Sequence, residues 1–362
     1  MRGMGDTAAY LRRGIREIIC LVLFYFTYLA GEYLFDVRVA EFVPPSEVGV
    51  YESFIVGASV IGFLVRPLLY YRRPHAIDTT SDVTGVLLVS ALLLLIMAVR
   101  FEVVIAGGLI ACCTLGYCGS TAHANFARRF ARTPYLARAA ALSYALGVLV
   151  QVLNHMVMPA GIPQQFVLVA CAVVQVALLH DARRAKLRGE SEPGRESDIA
   201  ELSVDASEFG AKWQDDSEST AAFRRAVVRL TVATACLAGV FAALNAGLTT
   251  SHAAGAIDLG DWPRLLMGVS ALVAGVLFDL HGRSYMNITM TCTAMLSTLS
   301  FFVLLIDGNG GNALAAMAIF YLFRASSWCF SRRNLLPFRF MRTGRICGRA
   351  WVVSSATFAR CS

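Results

Sequence analysis

Ten long apolar stretches, separated by short polar segments, make up most of this chain. Each is close to the roughly 20 residues that a helix needs to cross a bilayer. None alternates between apolar and polar residues as the strands of a membrane barrel do. Since backbone polar groups must be hydrogen-bonded internally in lipid, these stretches predict membrane-spanning helices. The predicted spans are 15–36, 51–71, 82–99, 102–122, 135–157, 162–180, 225–248, 262–280, 284–305 and 312–330.

Positive charge is distributed unevenly among the polar segments. The N-terminus and the segments after spans 2, 4, 6 and 8 carry arginines, whereas segments 159–163 and 307–312 carry no positive charge. Short loops rich in arginine and lysine stay on the cytoplasmic side of a membrane. The alternation holds through all ten predicted spans. It predicts a multi-pass protein of the cell membrane, the inner membrane of a bacterium, with a cytoplasmic N-terminus.

The acidic residues divide the chain into parts. Residues 181–223 hold 11 of its 25 acidic residues and little apolar sequence, a composition typical of solvated linkers. We therefore predict an all-α integral membrane protein of about ten helices, with a six-helix half and an incomplete four-helix half. The predicted parts are a bundle at 1–182, a cytoplasmic linker at 183–223, a second bundle at 224–330 and a basic tail at 331–362.

The overall composition agrees with this class and excludes several others. Hydrophobic residues make up 57% of the chain and charged residues 16%, with a mean hydropathy of +0.59, whereas soluble domains carry about a quarter charged residues. Most of the ten cysteines fall in apolar stretches, and none forms a CxxC pair or a metal-ligand spacing. The sequence also contains no GxSxG, HExxH or nucleotide-binding glycine loop. We therefore predict no catalytic residue, metal or cofactor, and a protein that is not an enzyme.

One motif lies between spans 8 and 9, where the sequence reads GVLFDLHGR from Gly275 to Arg283. Asp279, near a helix end, can pair with Arg283 and with the dipole of a neighbouring helix. Gly275 and Gly282 permit close packing and a tight turn, and Leu277 is also in place. This segment resembles the conserved cytoplasmic loop G-x-L-x-D-x-x-G-R of the major facilitator superfamily, whose six-plus-six layout the chain also resembles.

The resemblance implies a secondary transporter of a small solute, in which this loop controls the change between inward-facing and outward-facing states. Two departures weaken the implication for coupled transport. The equivalent loop between spans 2 and 3 has Gly62, but Arg66 and Pro67 stand where the acidic residue belongs. The arginine and Gly-Pro signatures of proton-coupled and antiporter branches are also missing from spans 4 and 5.

A second resemblance is to the facilitator-like membrane regions of LuxR-type regulators, which tend to have degenerate transport motifs. Asn245, the stretch 258–264 and the Gly275–Arg283 loop are similar to such regions. This chain has no recognisable helix-turn-helix, so this alternative is a membrane sensor without its output domain. We therefore expect no nucleic-acid partner for the chain as given. The expected partners are the lipid bilayer and an unknown small solute.

Polar residues within spans are the default candidates for a solute cavity. Tyr25, Thr27 and Tyr28 on span 1 and Gln175 on span 6 are predicted near the midplane. Others are predicted toward the outer ends of their spans, and the alternative for all of them is a packing or interfacial role. This outer set comprises Glu32, Gln151, Asn154, His155 and Asn245.

The basic tail provides a third alternative. Residues 331–362 contain seven arginines and no acidic residue, and Arg outnumbers Lys 30 to 2 in the whole chain. Off-frame reading of a GC-rich gene produces such strings, and Arg324 would place a charge near the centre of the last span, where it is costly. We therefore expect the reading frame to be lost between Phe320 and Arg324, which would make the product a truncated, non-functional fragment. A polybasic segment on anionic lipid is the other interpretation of the tail.

Overall fold

The computed structural model describes residues 14–72, 76–130, 135–159, 161–187 and 262–279. All of the regular structure in these residues is α-helical, as predicted. The spans predicted at 225–248, 284–305 and 312–330, the linker from 188 onward and the tail lie outside the described residues. The seven helices are α1 (Ile15–Ala40), α2 (Pro45–Arg72), α3 (Ala76–Met97), α4 (Phe101–Phe130), α5 (Leu136–Val157), α6 (Ile162–Leu187) and α7 (Trp262–Asp279).

Six of these helices, α1 to α6, are long and apolar enough to cross a membrane, and α7 contains a shorter apolar segment at Leu265–Leu277. Large apolar side chains such as Val86, Met97 and Val157 stand on the outside of the bundle. Such a surface is unfavourable in water and suits contact with lipid tails. The chain is a multi-pass membrane protein.

Several helices extend beyond the predicted spans. The clearest cases are α4, which ends at Phe130 rather than 122, and α6, which continues to Leu187. The prediction for α4 stopped after about one membrane-spanning length, but helical hydrogen bonds continue through residues such as Arg128 and Arg129. Basic side chains in a last helical turn are also favoured by the helix dipole. For α6, the helix continues into the range predicted as linker.

Helices α2 to α6 pack around α1, which contacts all five of them. The rings of Tyr25 and Tyr33 lie against Tyr144 and His155 on α5. Residue numbers increase in the same direction along the two contacting helices, so α1 and α5 are parallel. By the same test α1 and α4 are antiparallel, because Phe24 lies against His123, whereas a Cβ added at Gly108 would meet Phe35. The remaining helix, α7, packs on α5.

Candidate functional site

The loop motif is described as far as its acidic residue. Gly275, Leu277 and Asp279 lie in the C-terminal part of α7, while Gly282 and Arg283 lie outside the described residues. The pairing of Asp279 with Arg283 therefore stays a prediction. Within the described residues, Asp279 contacts the start of the neighbouring helix α5.

The Asp279 carboxylate accepts two backbone hydrogen bonds from the start of α5. Its Oδ2 accepts the N–H of Arg138 at 2.9 Å, and its Oδ1 accepts the N–H of Ala137 at 3.3 Å. The Asp279 side chain is only 2% exposed, and the Nε of Arg138 lies 3.8 Å from Oδ2. We refer to this contact as the Asp279 cap.

The start of α5 explains why a carboxylate binds there. The first N–H groups of a helix have no acceptor within the helix. Tyr135, which precedes α5, makes no side-chain capping bond. Asp279 fills from another helix the position that an N-cap Asp normally fills within its own chain segment. Its negative charge also lies at the positive end of the α5 dipole.

Gly275 sets the distance between α5 and α7. A Cβ added to it would lie 2.5 Å from the Cβ of Ala141 and 3.0 Å from the carbonyl oxygen of Ala137. Small residues at such positions let membrane helices approach closely and pack by van der Waals contact. Because Gly275 lies one turn before Asp279, its close approach brings the carboxylate to the α5 amides.

The Asp279 cap thus joins α7 to the start of α5. Opening it would expose two backbone N–H groups and a carboxylate, which water can hydrate at a helix end. Capping contacts of this kind contribute about 0.5–2 kcal/mol. A contact of that strength holds two helices together and still opens on thermal timescales.

Two of the predicted midplane residues are brought together by the structure. The Oγ1 of Thr27 lies 2.8 Å from Oε1 of Gln175, and both residues are fully buried. The same hydroxyl reaches the carbonyl oxygen of Leu23 at 2.8 Å, although a hydroxyl has only one hydrogen. Amide orientations are assigned from such networks. Turning the Gln175 amide lets its Nε2, which otherwise has no partner among the described residues, donate to Thr27.

The two tyrosines of the midplane set are also buried. The hydroxyl oxygen of Tyr28 lies 3.4 Å from the Oγ of Ser59 on α2. The hydroxyl of Tyr25 lies 2.9 Å from Nε2 of His123 on α4. These contacts join α1 to its neighbours, so within the described residues the midplane set forms a buried polar layer inside the first bundle.

The outer set forms a separate group on α5 and α1. The Nε2 of Gln151 lies 2.9 Å from Nε2 of His155, whose ring packs 4.4 Å from that of Tyr33. Gln151 and Asn154 are buried, and within the part of the chain that the structure describes their side-chain oxygens have no hydrogen-bond partner. These two oxygens remain candidates for contact with a solute. Asn245 lies outside the described residues.

His123 is the residue that the sequence analysis missed. It is 1% exposed and lies at the centre of the first bundle, against Tyr25, Phe24 and Phe63. A single histidine in an apolar stretch is most often a core residue, and its partner on α1 is 98 positions away. One signal in the sequence indicated that this part of α4 is packed closely. The residues before His123, from Gly116 to Ala122, are small with two larger exceptions, and they allow α1 and α2 to approach α4.

The arrangement of the helices, finally, was compared with known proteins. No protein-family model matches the sequence, and no curated protein matches it significantly. Solved structures do match. The human organic anion transporter MFSD10 (TETRAN) is 13% identical with a TM-score of 0.60, over 98% of this chain and 91% of that one. The proton:xylose symporter XylE bound to 6-bromo-6-deoxy-D-glucose is 13% identical with a TM-score of 0.64, over 98% and 87%.

A third match is the xylose transporter XylE from E. coli in a partially occluded inward open conformation. It is 15% identical with a TM-score of 0.58, over 96% of this chain and 89% of that one. Identities this low concern the fold alone, and they confirm the fold that the loop motif predicted. The chain has the fold of the major facilitator superfamily.

Proposed function

We propose that this protein is a secondary transporter, not an enzyme, that moves a small solute across the cell membrane by alternating access. The observation that carries the proposal is the Asp279 cap, a charge-dependent contact between a helix of each half. The transporter fold supports the same conclusion. The arginine-rich segments support a cytoplasmic position for the N-terminus and for the Asp279 cap.

The proposed cycle uses the Asp279 cap as a reversible contact. While it is closed, the cytoplasmic ends of α5 and α7 stay together and the solute is reached from outside. When it opens, the α5 amides and the carboxylate are hydrated and the cytoplasmic side becomes accessible. If the Asp279 cap is too weak, the state with the cap open is overpopulated. The cycle then slows because the closed state, from which the next step starts, is rarely occupied.

Asp279→Asn is therefore expected to slow transport without unfolding the protein. The amide keeps one acceptor for an α5 N–H but loses the negative charge at the helix N-terminus. We expect the closed state to weaken by about 1 kcal/mol, close to a fivefold change in its population. Initial uptake rates of purified protein in liposomes should fall by a similar factor. The assay uses a panel of radiolabelled pentoses, hexoses, organic anions, amino acids and amines, because the solved neighbours carry a sugar and organic anions.

Asp181→Asn is the matched control. Asp181 is on α6, its side chain is 71% exposed and its ion pair with Arg16 is long, at 3.9 Å. Exposed pairs of this kind contribute little, so uptake should stay at the wild-type rate. Absence of uptake across the whole panel would count against transport. Equal rates for both variants would leave transport standing and remove the Asp279 cap from it.

The sensor alternative can be tested at the level of DNA. A helix-turn-helix coding region in the sequence that follows this one would favour a LuxR-type membrane sensor. The buried position of Arg66, 5% exposed where the family loop carries an acid, agrees with one degenerate motif copy. Resequencing the same region tests the proposed loss of the reading frame.

A further inference from the structure

A group of charged side chains joins α3 to α6, two helices that take no part in the Asp279 cap. The Asp82 carboxylate of α3 lies between two side chains of α6. The Nδ1 of His180 donates to its Oδ1 at 3.0 Å, and the Nη1 of Arg183 donates to its Oδ2 at 2.6 Å. The side chains of Asp82, His180 and Arg183 are 46%, 39% and 24% exposed. We refer to this contact as the Asp82 clamp.

The Asp82 clamp lies at the same end of the bundle as the Asp279 cap. The start of α1 is at that end, because α1 and α5 are parallel and the cap is formed at the start of α5. The end of α6 is there too, since Arg16 near the start of α1 lies 3.9 Å from Asp181 on α6. In the proposed orientation both contacts therefore face the cytoplasm.

The same helix carries a residue of the buried midplane set. Gln175 on α6 contacts Thr27 on α1, and close by a Cβ added at Gly85 of α3 would lie 2.5 Å from Cγ1 of Val176. Gln175 precedes His180 by five residues, about 7.5 Å along the helix. Because a helix can carry the movement of its end along its length, the Asp82 clamp affects how firmly Gln175 is held against Thr27.

One member of the Asp82 clamp carries an imidazole, the side chain that most readily changes its charge between pH 5 and 8. A carboxylate oxygen can only accept, so the Nδ1 of His180 carries a hydrogen whether the ring is neutral or charged. A further proton from the surrounding water adds to Nε2. The bond to Asp82 is then one between two charged groups, which is stronger than a bond from a neutral ring.

The charges around His180 determine the direction of the pH effect. Those at this end of the bundle belong to three helices: Asp82 of α3, Asp181, Arg183 and Arg184 of α6, and the paired Arg16 and Glu17 of α1. The charges of α6 move with His180, so they act on it whether the clamp is closed or open. The attraction of Asp82 exists only in the closed state. The closed state therefore binds the proton more strongly, and a lower pH favours it.

We propose that the Asp82 clamp is a pH-sensitive contact that regulates the rate of transport; this proposal rests on the proposed transport function. At lower pH the protonated His180 holds the end of α6 to α3, and Gln175 stays against Thr27. At higher pH the clamp opens more often, and α6 moves more freely during the cycle. The proton binds and leaves on the same side of the membrane, so the clamp changes a rate and supplies no driving force.

The first experiment measures the clamp without any solute. Hydrogen–deuterium exchange of the full-length protein in lipid nanodiscs gives protection factors for the amides in the last turns of α6. We expect protection in the wild type to be about twofold to fourfold higher at pH 6 than at pH 8, after correction for the intrinsic effect of pH, which is the range that exposed ion pairs reach. His180→Gln, which keeps a donor but cannot gain a charge, should show low protection at both pH values. His180→Arg should show high protection at both.

Asp181→Asn is the matched control, because Asp181 is exposed at the same end of α6 and does not contact Asp82. It should keep the response of the wild type, whereas Asp82→Asn should lose it. If Asp82→Asn fails to accumulate in membranes, the two His180 variants decide, since they change an exposed side chain. A wild type without a pH response, or a His180→Gln protein with the full response, would overturn the proposal.

The second experiment separates regulation from transport. Liposomes have the same pH inside and outside, and exchange of the solute that the uptake panel identifies is measured at pH 6 and at pH 8. We expect the ratio of the rate at pH 8 to that at pH 6 to be about twofold to fourfold larger in the wild type than in His180→Arg. If no member of the panel is exchanged, the transport function fails, and the regulatory role fails with it, while hydrogen exchange still shows whether the clamp responds to pH. If a solute is exchanged and the two ratios are equal, transport stands and the regulatory role is wrong.

Discussion

Replacing Gly116 by valine should prevent the first bundle from folding. A Cβ at this position would overlap the carbonyl oxygen of Ser59 and lie 2.9 Å from its carbonyl carbon. These are backbone atoms of α2, so α2 and α4 must move apart. Overpacking usually costs about 1–3 kcal/mol; here two branched methyl groups meet a helix backbone, and we expect the upper end or more. Fluorescence-detected size exclusion of detergent-solubilised membranes should show little monodisperse protein.

Gly57→Ala is the control for this prediction. Gly57 is on α2, and a Cβ there would meet no atom of the described helices within 4 Å. Alanine is favoured over glycine in a helix interior by up to about 1 kcal/mol, so the yield and melting temperature should be unchanged or slightly raised. A Gly116→Val protein that elutes and melts like Gly57→Ala would contradict the close α2–α4 packing described above.

Replacing Gly275 by leucine should abolish transport while leaving the first bundle folded. A Cβ at position 275 would lie only 2.5 Å from the Cβ of Ala141, and the longer leucine side chain would push α7 away from α5. The Asp279 carboxylate would then lose both α5 amides together with the packing that positions it. We expect uptake to fall at least tenfold, more than for Asp279→Asn, because packing and capping are lost together.

Gly268→Ala tests whether the loss comes from local crowding. A Cβ at Gly268 would lie 3.7 to 3.8 Å from the atoms of Ala145, which is ordinary van der Waals contact. This variant carries an added methyl on the same helix and against the same partner, and it should transport at the wild-type rate. If Gly275→Leu transports as well as Gly268→Ala does, the close approach of α5 and α7 has no part in the cycle.

Much of the fold could be predicted from the order of apolar and charged residues. The spans follow from hydropathy because lipid requires long, continuous helices. The ends of α4 and α6 could not be predicted from hydropathy, because helical hydrogen bonds continue beyond the apolar stretches into Arg128, Arg129 and Arg183. The spacing of Gly275 and Asp279 indicated a contact at a helix end. The partners of Asp279 in this contact are the backbone amides of Ala137 and Arg138. Every residue except proline has such an amide, so the sequence does not indicate which ones are used.

The buried polar contacts show a second limit. Thr27 and Gln175 were each predicted near the midplane, yet their contact depends on how α1 and α6 rotate against each other. The rotation of α1 depends in turn on its packing against α5, as at Gly147, where a Cβ would lie 2.5 Å from the Cβ of Tyr25. His123 was missed for the same reason, because only the fold shows that its ring meets Tyr25 rather than an apolar neighbour.

The most direct measurement of the account is hydrogen–deuterium exchange at the amides of Ala137 and Arg138 in the reconstituted protein. These two N–H groups donate to Asp279, so their exchange reports the opening of the Asp279 cap. We predict slow exchange in the wild type, a several-fold acceleration when the transported solute is added, and fast exchange in Asp279→Asn with or without solute. Exchange that is the same with and without a solute that the protein demonstrably transports would contradict the claim that this contact opens and closes during transport.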